Sequence, residues 1–382
     1  MIQRVAIVTE SFLPQINGVT NSVVRVLETL KQQEIEAMVI APTSNSELHL
    51  GFKVHVTTSL PLKQFPVAMP GPSVAKLLDE FQPDVIHVAA PFMLGALAIS
   101  WGQRNSVPTV AIYQTDVAGY LERYNLAFAK PAMEKIVGAI HSGATLNLAP
   151  TQESADYLKK IGGGKTKVWG RGVDLDLFTS ENRRDVETQD IRSRIASDDE
   201  LVIGFVGRLA AEKQVDRMQE LFGIPGVKFL IVGDGPERER LETLFEGHPV
   251  TFTGALSGLE LARTYAAMDI FVHFGTEETF GQTIQEAQAT GLAVIAPNSG
   301  GPKHLIETRK SGILVDPLEP NGYRKAVQAV IEDRKLRTAL CEGAERSVAG
   351  RSWAANNAKL LQYYLDAQLA VRGPRVEQIE LA

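Results

Sequence analysis

TEETFGQTIQEAQATG, residues 276–291, is the stretch on which the reading of this chain turns. It carries two carboxylates, Glu278 and Glu286, with Phe280-Gly281-Gln282-Thr283 opening a helix between them. At about 1.5 Å rise and 3.6 residues per turn, a helix starting near Gly281 leaves Glu278 in the preceding loop and sets Glu286 on its second turn. The carboxylates then face one site at different depths. The N–H groups of Gly281, Gln282 and Thr283 stand at the helix's positive end, where an anion such as a diphosphate is favoured. Carboxylates accept hydrogen bonds from hydroxyls, so the order suits a ligand with hydroxyls at both ends and phosphate between, a nucleotide sugar. Taken alone, a Glu near the helix dipole followed by a surface Glu gives the same pattern, and the rest of the chain has to decide.

The chain has 382 residues, which suits two domains rather than one ordinary core. Its 44% hydrophobic and 22% charged residues are those of a soluble globular protein. A net charge of −6 argues against a nucleic-acid binder. The first 170 residues are close to neutral and the remainder carries the negative excess, which leaves only the first half suited to an anionic surface. One cysteine, Cys341, excludes an internal disulfide framework and fits a reducing compartment. The opening MIQRVAIVTESF has no signal-peptide pattern. Residues 85–103 are free of charge over a span-like length, but Pro91 divides them into a buried strand, VIHVAA, and a helix, MLGALAISW.

RVAIVTE, AMVIAP, DVIHVAA, TVAIYQTD and TLNLAP read as strands, with helices over Ser22–Gln33 and Val74–Phe81 among them. Apolar runs without period-two alternation predict strands covered on both faces, hence a parallel α/β sheet. After Asp174 the polar run SENRRDVETQDIRSRIASDDE reads as a linker with a short helix. A second alternation follows in LVIGFVGR, VKFLIVGDG, VTFTG, DIFVHFG, LAVIAP and GILVDP. The expectation is two Rossmann-like doubly wound domains facing a central cleft, with ligands at the carboxyl ends of the strands. Its bounds are a first domain 1–172, a linker 173–200, a second domain 201–355 and a C-terminal helix 356–382; in the family that the motifs below resemble, the first is the acceptor side, the second binds the nucleotide sugar, and the last helix returns to the first domain.

In GFVGRLAAEK, residues 204–213, a strand ends at Val206-Gly207, and Arg208 and Lys213 follow in the turn and the helix after it. Two permanent cations at a strand's carboxyl end suit a departing diphosphate that needs its charge neutralised. IVGDGP, residues 231–236, is too short for a dinucleotide fingerprint and reads as a tight turn. With the Glu-x7-Glu spacing, these residues resemble the retaining glycosyltransferases of family 4, which have the GT-B fold; the chain matches the family's G-R-L-x-x-E-K motif at every fixed position. The resemblance implies that Glu278 holds the donor sugar, Glu286 the ribose, and Arg208 and Lys213 the leaving diphosphate, with no metal and no cofactor. It also sets Gly254 to Ser257 near the base and brings the Gly300-Gly301 backbone close to the cleft.

ESFLPQINGVTNSVVRVLETL resembles the family's opening strand, glycine loop and first helix. Gly18 would let the backbone approach the ligand, with Val19 and Thr20 donating N–H groups, although a glycine needed only for its own turn reads the same way. In YQTDVAGYLERY, Gln114 stands where many relatives have His, so no imidazole serves there as a base. Asp116 becomes the candidate for orienting the acceptor hydroxyl, with a helix-capping Asp as the plain alternative. Gln114 and Tyr120 are the implied acceptor-side residues. Asp174-x-Asp176 lies in the apparent linker, so a metal site is not expected there. Gly162-Gly163-Gly164-Lys165-Thr166 lacks the first glycine of a P-loop and precedes a strand. The seven histidines show no metal-ligand spacing and read as structural or solvated. RSWAANNAKLLQYYLDAQL resembles the family's last helix, with Leu361, Tyr363 and Tyr364 as packing residues.

YQTDVAGY and WGRGVD look most like bacterial GDP-mannose-dependent α-mannosyltransferases that build membrane glycolipids, relatives of the phosphatidylinositol mannosyltransferases. The reading is therefore retaining, metal-independent transfer of mannose from GDP-mannose to a lipid or glycolipid acceptor. The protein would be cytoplasmic and peripheral on the inner face of the cytoplasmic membrane, through the apolar, lightly basic residues 120–140. Two alternatives stay open: a UDP-sugar enzyme of the family, such as a sulfoquinovosyl or glucosyl transferase, and a non-catalytic two-domain sugar-nucleotide binder.

Overall fold

Residues 5–8 and 293–296 are fully buried without a break, as strands covered on both faces require. A computed structural model of the chain describes residues 2–15, 17–57, 59–61, 66–68, 73–114, 127–278 and 280–372. It divides into two units, Met1–Arg171 with Ala354–Ala382, and Gly172–Trp353.

The first unit contains β1 (Arg4–Thr9), β2 (Glu36–Ala41), β3 (Leu48–His49), β4 (Phe52–Val56), β5 (Ser59–Pro61), β6 (Pro66–Ala68), β7 (Val85–Ala89), β8 (Thr109–Ile112), β9 (Leu146–Ala149) and β10 (Thr166–Val168). β5 and β6 form a separate antiparallel pair, and the others run β10-β9-β8-β7-β1-β2-β4-β3. All neighbours in this sheet are parallel except β3 against β4. The chain moves outward from β1 to β4 and then crosses to β7, so the topological switch point lies between β1 and β7. Ligands of such sheets bind at the carboxyl ends beside that point.

The second unit contains β11 (Leu201–Val206), β12 (Val227–Val232), β13 (Val250–Gly254), β14 (Ile270–Val272), β15 (Ala293–Pro297) and β16 (Ile313–Val315). They form one parallel sheet, β13-β12-β11-β14-β15-β16. Its switch point lies between β11 and β14. Each run expected as a strand in either half is one; the short β3 to β6, with little apolar patterning, were not foreseen.

The polar run read as a linker, 173–200, is instead part of the second unit. Val173, Phe178 and Ala196 join its core. Arg192 donates to the Ala267 carbonyl, to Asp269 and to the Glu200 carbonyl, and Arg183 donates to the Met268 carbonyl. These arginines satisfy carbonyls at and just beyond the end of helix Gly258–Ala266, which the polar composition hid.

The last helix, Trp353–Arg372, belongs mostly to the first unit. Leu360, Tyr364 and Ala367 enter its core, and the Tyr364 hydroxyl lies 2.7 Å from His87 Nδ1 on β7. Burial holds His87 neutral, with a pKa of about 3. Tyr364→Phe strands that imidazole and is expected to destabilise the fold by about 1–3 kcal/mol, read as a lower urea midpoint at unchanged slope. No described helix is long and apolar enough to cross a membrane.

Candidate active site

The switch point of the second sheet is bridged by charge. After β11 the chain turns through Arg208 into a 3-10 turn, Ala211–Lys213, where a helix was expected. After β14 it runs through Phe274 and Gly275 to Glu278. Lys213 Nζ lies 2.5 Å from Glu278 Oε2, with side-chain exposures of 23% and 18%, so the pair is shielded while still open to exchange. Arg208 donates to Glu212 at 2.5 Å and is itself 63% exposed. Burial is the largest single influence and works against the Glu212 charge, but Arg208, the Glu212 backbone N–H and the Lys213 charge together outweigh it and leave that carboxyl's pKa lowered. Both cations thus rest on carboxylates of their own chain, at a position where a ligand's anionic oxygens would compete for them.

Gly281, at φ 98°, caps helix Gln282–Ala289, a left-handed conformation that glycine adopts without strain. Its carbonyl takes the first intrahelical bonds, from the N–H groups of Ile284 and Gln285. Those of Gln282 and Thr283 precede the ladder. The Gln282 side chain donates to the Gly172 carbonyl at 3.1 Å, while its Oε1 is buried with no hydrogen-bond partner. One turn on, Glu286 Oε2 accepts from the buried Tyr265 hydroxyl at 2.9 Å. Glu286 keeps some exposed surface, yet protein crowds its carboxylate. That desolvation pushes its pKa up to about 7 against the pull of Tyr265 and Gln282.

The Gly300-Gly301 backbone supports the Glu278 loop directly. Gly301 N–H donates to the Glu278 carbonyl at 2.6 Å, and a Cβ on Gly300 or Gly301 would fall 2.5 Å from the Glu278 carbonyl oxygen or 2.3 Å from that of Phe280. Gly254, at the end of β13, accepts from the Gly233 N–H at 2.8 Å, which joins two adjacent turns at the carboxyl edge. Arg208, Lys213, Glu278, Gly281, Gln282, Thr283, Glu286 and Gly254 all follow strand ends on this one edge or open the helix beside it.

In the first unit the N–H groups of Val19 and Thr20, expected to face a ligand, are bonded by the Asn17 side chain at 2.9 and 3.0 Å. An Asn N-cap competes for the same donors that an anion would use. A Cβ on Gly18 would lie 2.4 Å from the end of the Arg171 guanidinium. Arg171 in turn donates to the Gln114 side-chain Oε1 at 3.3 Å and orients that buried amide. Asp116 and Tyr120 lie outside the described residues. Asp174 Oδ1 accepts from the Leu177 N–H, and no group of three potential metal ligands occurs among the described residues.

Sequence reasoning missed four residues at these edges: Glu10, Arg171, Tyr265 and His273. Glu10 follows β1, and its carboxylate accepts the N–H groups of Phe92, Leu94 and Gly95 at the start of the helix after β7. It fills with the chain's own charge the helix terminus at the first unit's switch point. Its pKa is raised by burial, against those three bonds. Nothing in its sequence context distinguishes it from a surface Glu.

The two halves match two described families, Glycosyltransferase Family 4 over residues 16–177 and Glycosyl transferases group 1 over residues 186–347. A GDP-mannose-dependent alpha-mannosyltransferase of Corynebacterium glutamicum is 42% identical over 95% of this chain and 89% of its own length. One of Mycobacterium tuberculosis is 42% identical over 98% of each chain. Sulfoquinovosyl transferase SQD2 of Arabidopsis thaliana is 29% identical over 94% of this chain and 72% of its own. Among solved structures, Anabaena Alr3699/HepE in complex with UDP superposes with a TM-score of 0.80 at 20% identity, over 95% of this chain and all of the other, a likeness of fold. Two parallel Rossmann-like sheets, paired cations and carboxylates at one switch point, and this identity over nearly the whole length agree: the chain is an enzyme that belongs to the glycosyltransferases of family 4, with the GT-B fold.

Proposed function

We propose that this enzyme moves mannose from GDP-mannose to a hydroxyl of a membrane glycolipid, with retention of configuration and without a metal ion. The observation that carries the site assignment is the Lys213–Glu278 pair across the β11/β14 switch point. An arriving donor exchanges partners there. Its diphosphate takes Lys213 and Arg208 from Glu278 and Glu212, and its sugar hydroxyls take Glu278. The N–H groups of Gln282 and Thr283 add donors to the same anion, and Glu286, oriented by Tyr265, takes the ribose. The bond from the sugar C1 to the phosphate oxygen breaks and the acceptor oxygen bonds C1 on the same face. The acceptor's proton goes to the departing phosphate, so no protein nucleophile is needed. Gln114, held by Arg171, serves the acceptor, and Asp116 and Tyr120 are assigned to it as well.

The choice of GDP-mannose is supported by three relatives at 38–42% identity that carry that donor in their names. A lipid acceptor at the inner face of the cytoplasmic membrane is supported by the 127–142 surface. Phe128 is 82% and Ile136 48% exposed there, beside Lys130 and Lys135. Titration calorimetry of the purified protein with GDP and with UDP, without metal, tests the donor. Tight GDP and weak UDP binding are expected; the reverse overturns GDP-mannose in favour of a UDP-sugar, and binding of neither overturns the donor site.

A further inference from the structure

His273 follows β14 immediately and is 1% exposed. Neither ring nitrogen has a hydrogen-bond partner, and the Gly275 backbone lies beside the ring without meeting hydrogen-bond geometry. Native structures seldom leave a buried polar ring unpaired without a reason. The backbone around it is tightly held: the His273 N–H donates to the Ile295 carbonyl and its carbonyl accepts from the Tyr323 hydroxyl at 2.9 Å. The ring stacks against Phe205, with centroids 6.4 Å apart. At 1% exposure it meets no solvent where it stands. Its nearest charged oxygen is Glu278 Oε2, 3.9 Å from Nε2, beyond bonding distance by roughly 1 Å.

The same oxygen is held by Lys213 in this structure. On the reading proposed above, donor binding draws Lys213 towards the diphosphate, and Glu278 has to keep its orientation towards the sugar with that partner weakened. We propose that His273 is the positioning residue that takes hold of the Glu278 carboxylate at this moment, its Nε2–H closing on Oε2. The imidazole is suited to the task because it is neutral: burial lowers its pKa to about 4, with Glu278 opposing and Lys213 reinforcing. A neutral ring can donate to Glu278 without adding a second cation beside Lys213. The orphaned Nε2 is then one half of a bond completed only when donor is present.

This inference rests on the assignment of Glu278 to the donor sugar, so the test separates the two. His273→Phe keeps a ring against Phe205 and removes the donor, whereas His273→Gln returns an N–H near the position of Nε2. For these, Glu278→Gln and the double variant His273→Phe/Glu278→Gln, one measures kcat and KM for GDP-mannose and, by calorimetry, the Kd for GDP. His273→Phe is expected to lower kcat/KM by about ten-fold or more while GDP affinity stays within about two-fold, and His273→Gln to recover most of the loss. In the Glu278→Gln background His273→Phe should add little, because the two act through one contact. An equal loss of GDP affinity, no recovery with Gln, or a full additional loss in the double variant overturns the role of His273. Should Glu278→Gln itself leave sugar-nucleotide turnover and its ratio to GDP binding unchanged, the Glu278 assignment fails, and with it the inference.

Discussion

Lys213→Ala is expected to lower kcat by about 10²- to 10³-fold, the range for removing one preorganised group that stabilises developing charge. The ammonium already sits at the switch point, only 23% exposed and held by Glu278, so little reorganisation separates its resting position from a diphosphate. In a shielded site the charge is worth more than the same lysine on an open surface. Arg208→Ala should act in the same direction, with a smaller loss expected because Arg208 is 63% exposed and solvent screens it more. Single-turnover rates at saturating GDP-mannose, with thermal melts alongside, check this. Full activity in Lys213→Ala with an intact fold would remove Lys213 from the mechanism.

Glu286→Ala is expected to weaken donor binding by about 10- to 100-fold, the scale of losing charge-assisted hydrogen bonds to the ribose. It also takes from the buried Tyr265 hydroxyl its shorter acceptor and leaves only the Thr283 carbonyl at 3.3 Å, so the melting temperature should fall. Glu286→Gln keeps an acceptor for Tyr265 and separates the two effects. The charge state gives a second signature. With its pKa raised from the ordinary 4.5 to about 7, Glu286 is protonated in the folded protein and ionised in the unfolded chain between those values. The folded state binds the extra proton there, so this group's contribution to stability falls as pH rises from about 4.5 to about 7, and is constant above. Donor affinity moves the other way, because the carboxylate accepts ribose hydroxyls more strongly than the acid does. Binding of GDP-mannose, whose diphosphate has no proton to lose near neutrality, should tighten through pH 7 in the native enzyme and stay flat in Glu286→Gln.

Much of this site was legible because its signals are local. A strand end followed by Arg208 and Lys213, and a loop Glu followed by a glycine-capped helix bearing Glu286, are each patterns within ten to sixteen residues of sequence. What they pair with is not local. Lys213 and Glu278 are 65 residues apart, Arg171 and Gln114 are 57 apart, and Tyr265 and Glu286 are 21 apart. His273 comes directly after the apolar residues of β14 and reads as a core histidine. Only its distance to Glu278 connects it with the chemistry. Polar composition misled at 173–200, since arginines that cap buried carbonyls look the same in sequence as arginines in a linker.

The sequence by itself determined the architecture. Unbroken apolar runs alternating with amphipathic helices leave a parallel doubly wound sheet as the way to cover both faces of each strand, and the chain carries two such series. It also determined which side chains follow the strand ends. The tertiary structure alone decided strand order, and with it the switch point that brings the turn after β11 beside the loop after β14. It likewise decided that the Asn17 side chain caps the Val19 and Thr20 donors, and that the Arg171 guanidinium comes to lie against Gly18. These outcomes depend on which backbones come within a few ångströms across the fold, where one Cβ or one carboxylate is enough to fill the space, and residue spacing along the chain does not encode that distance.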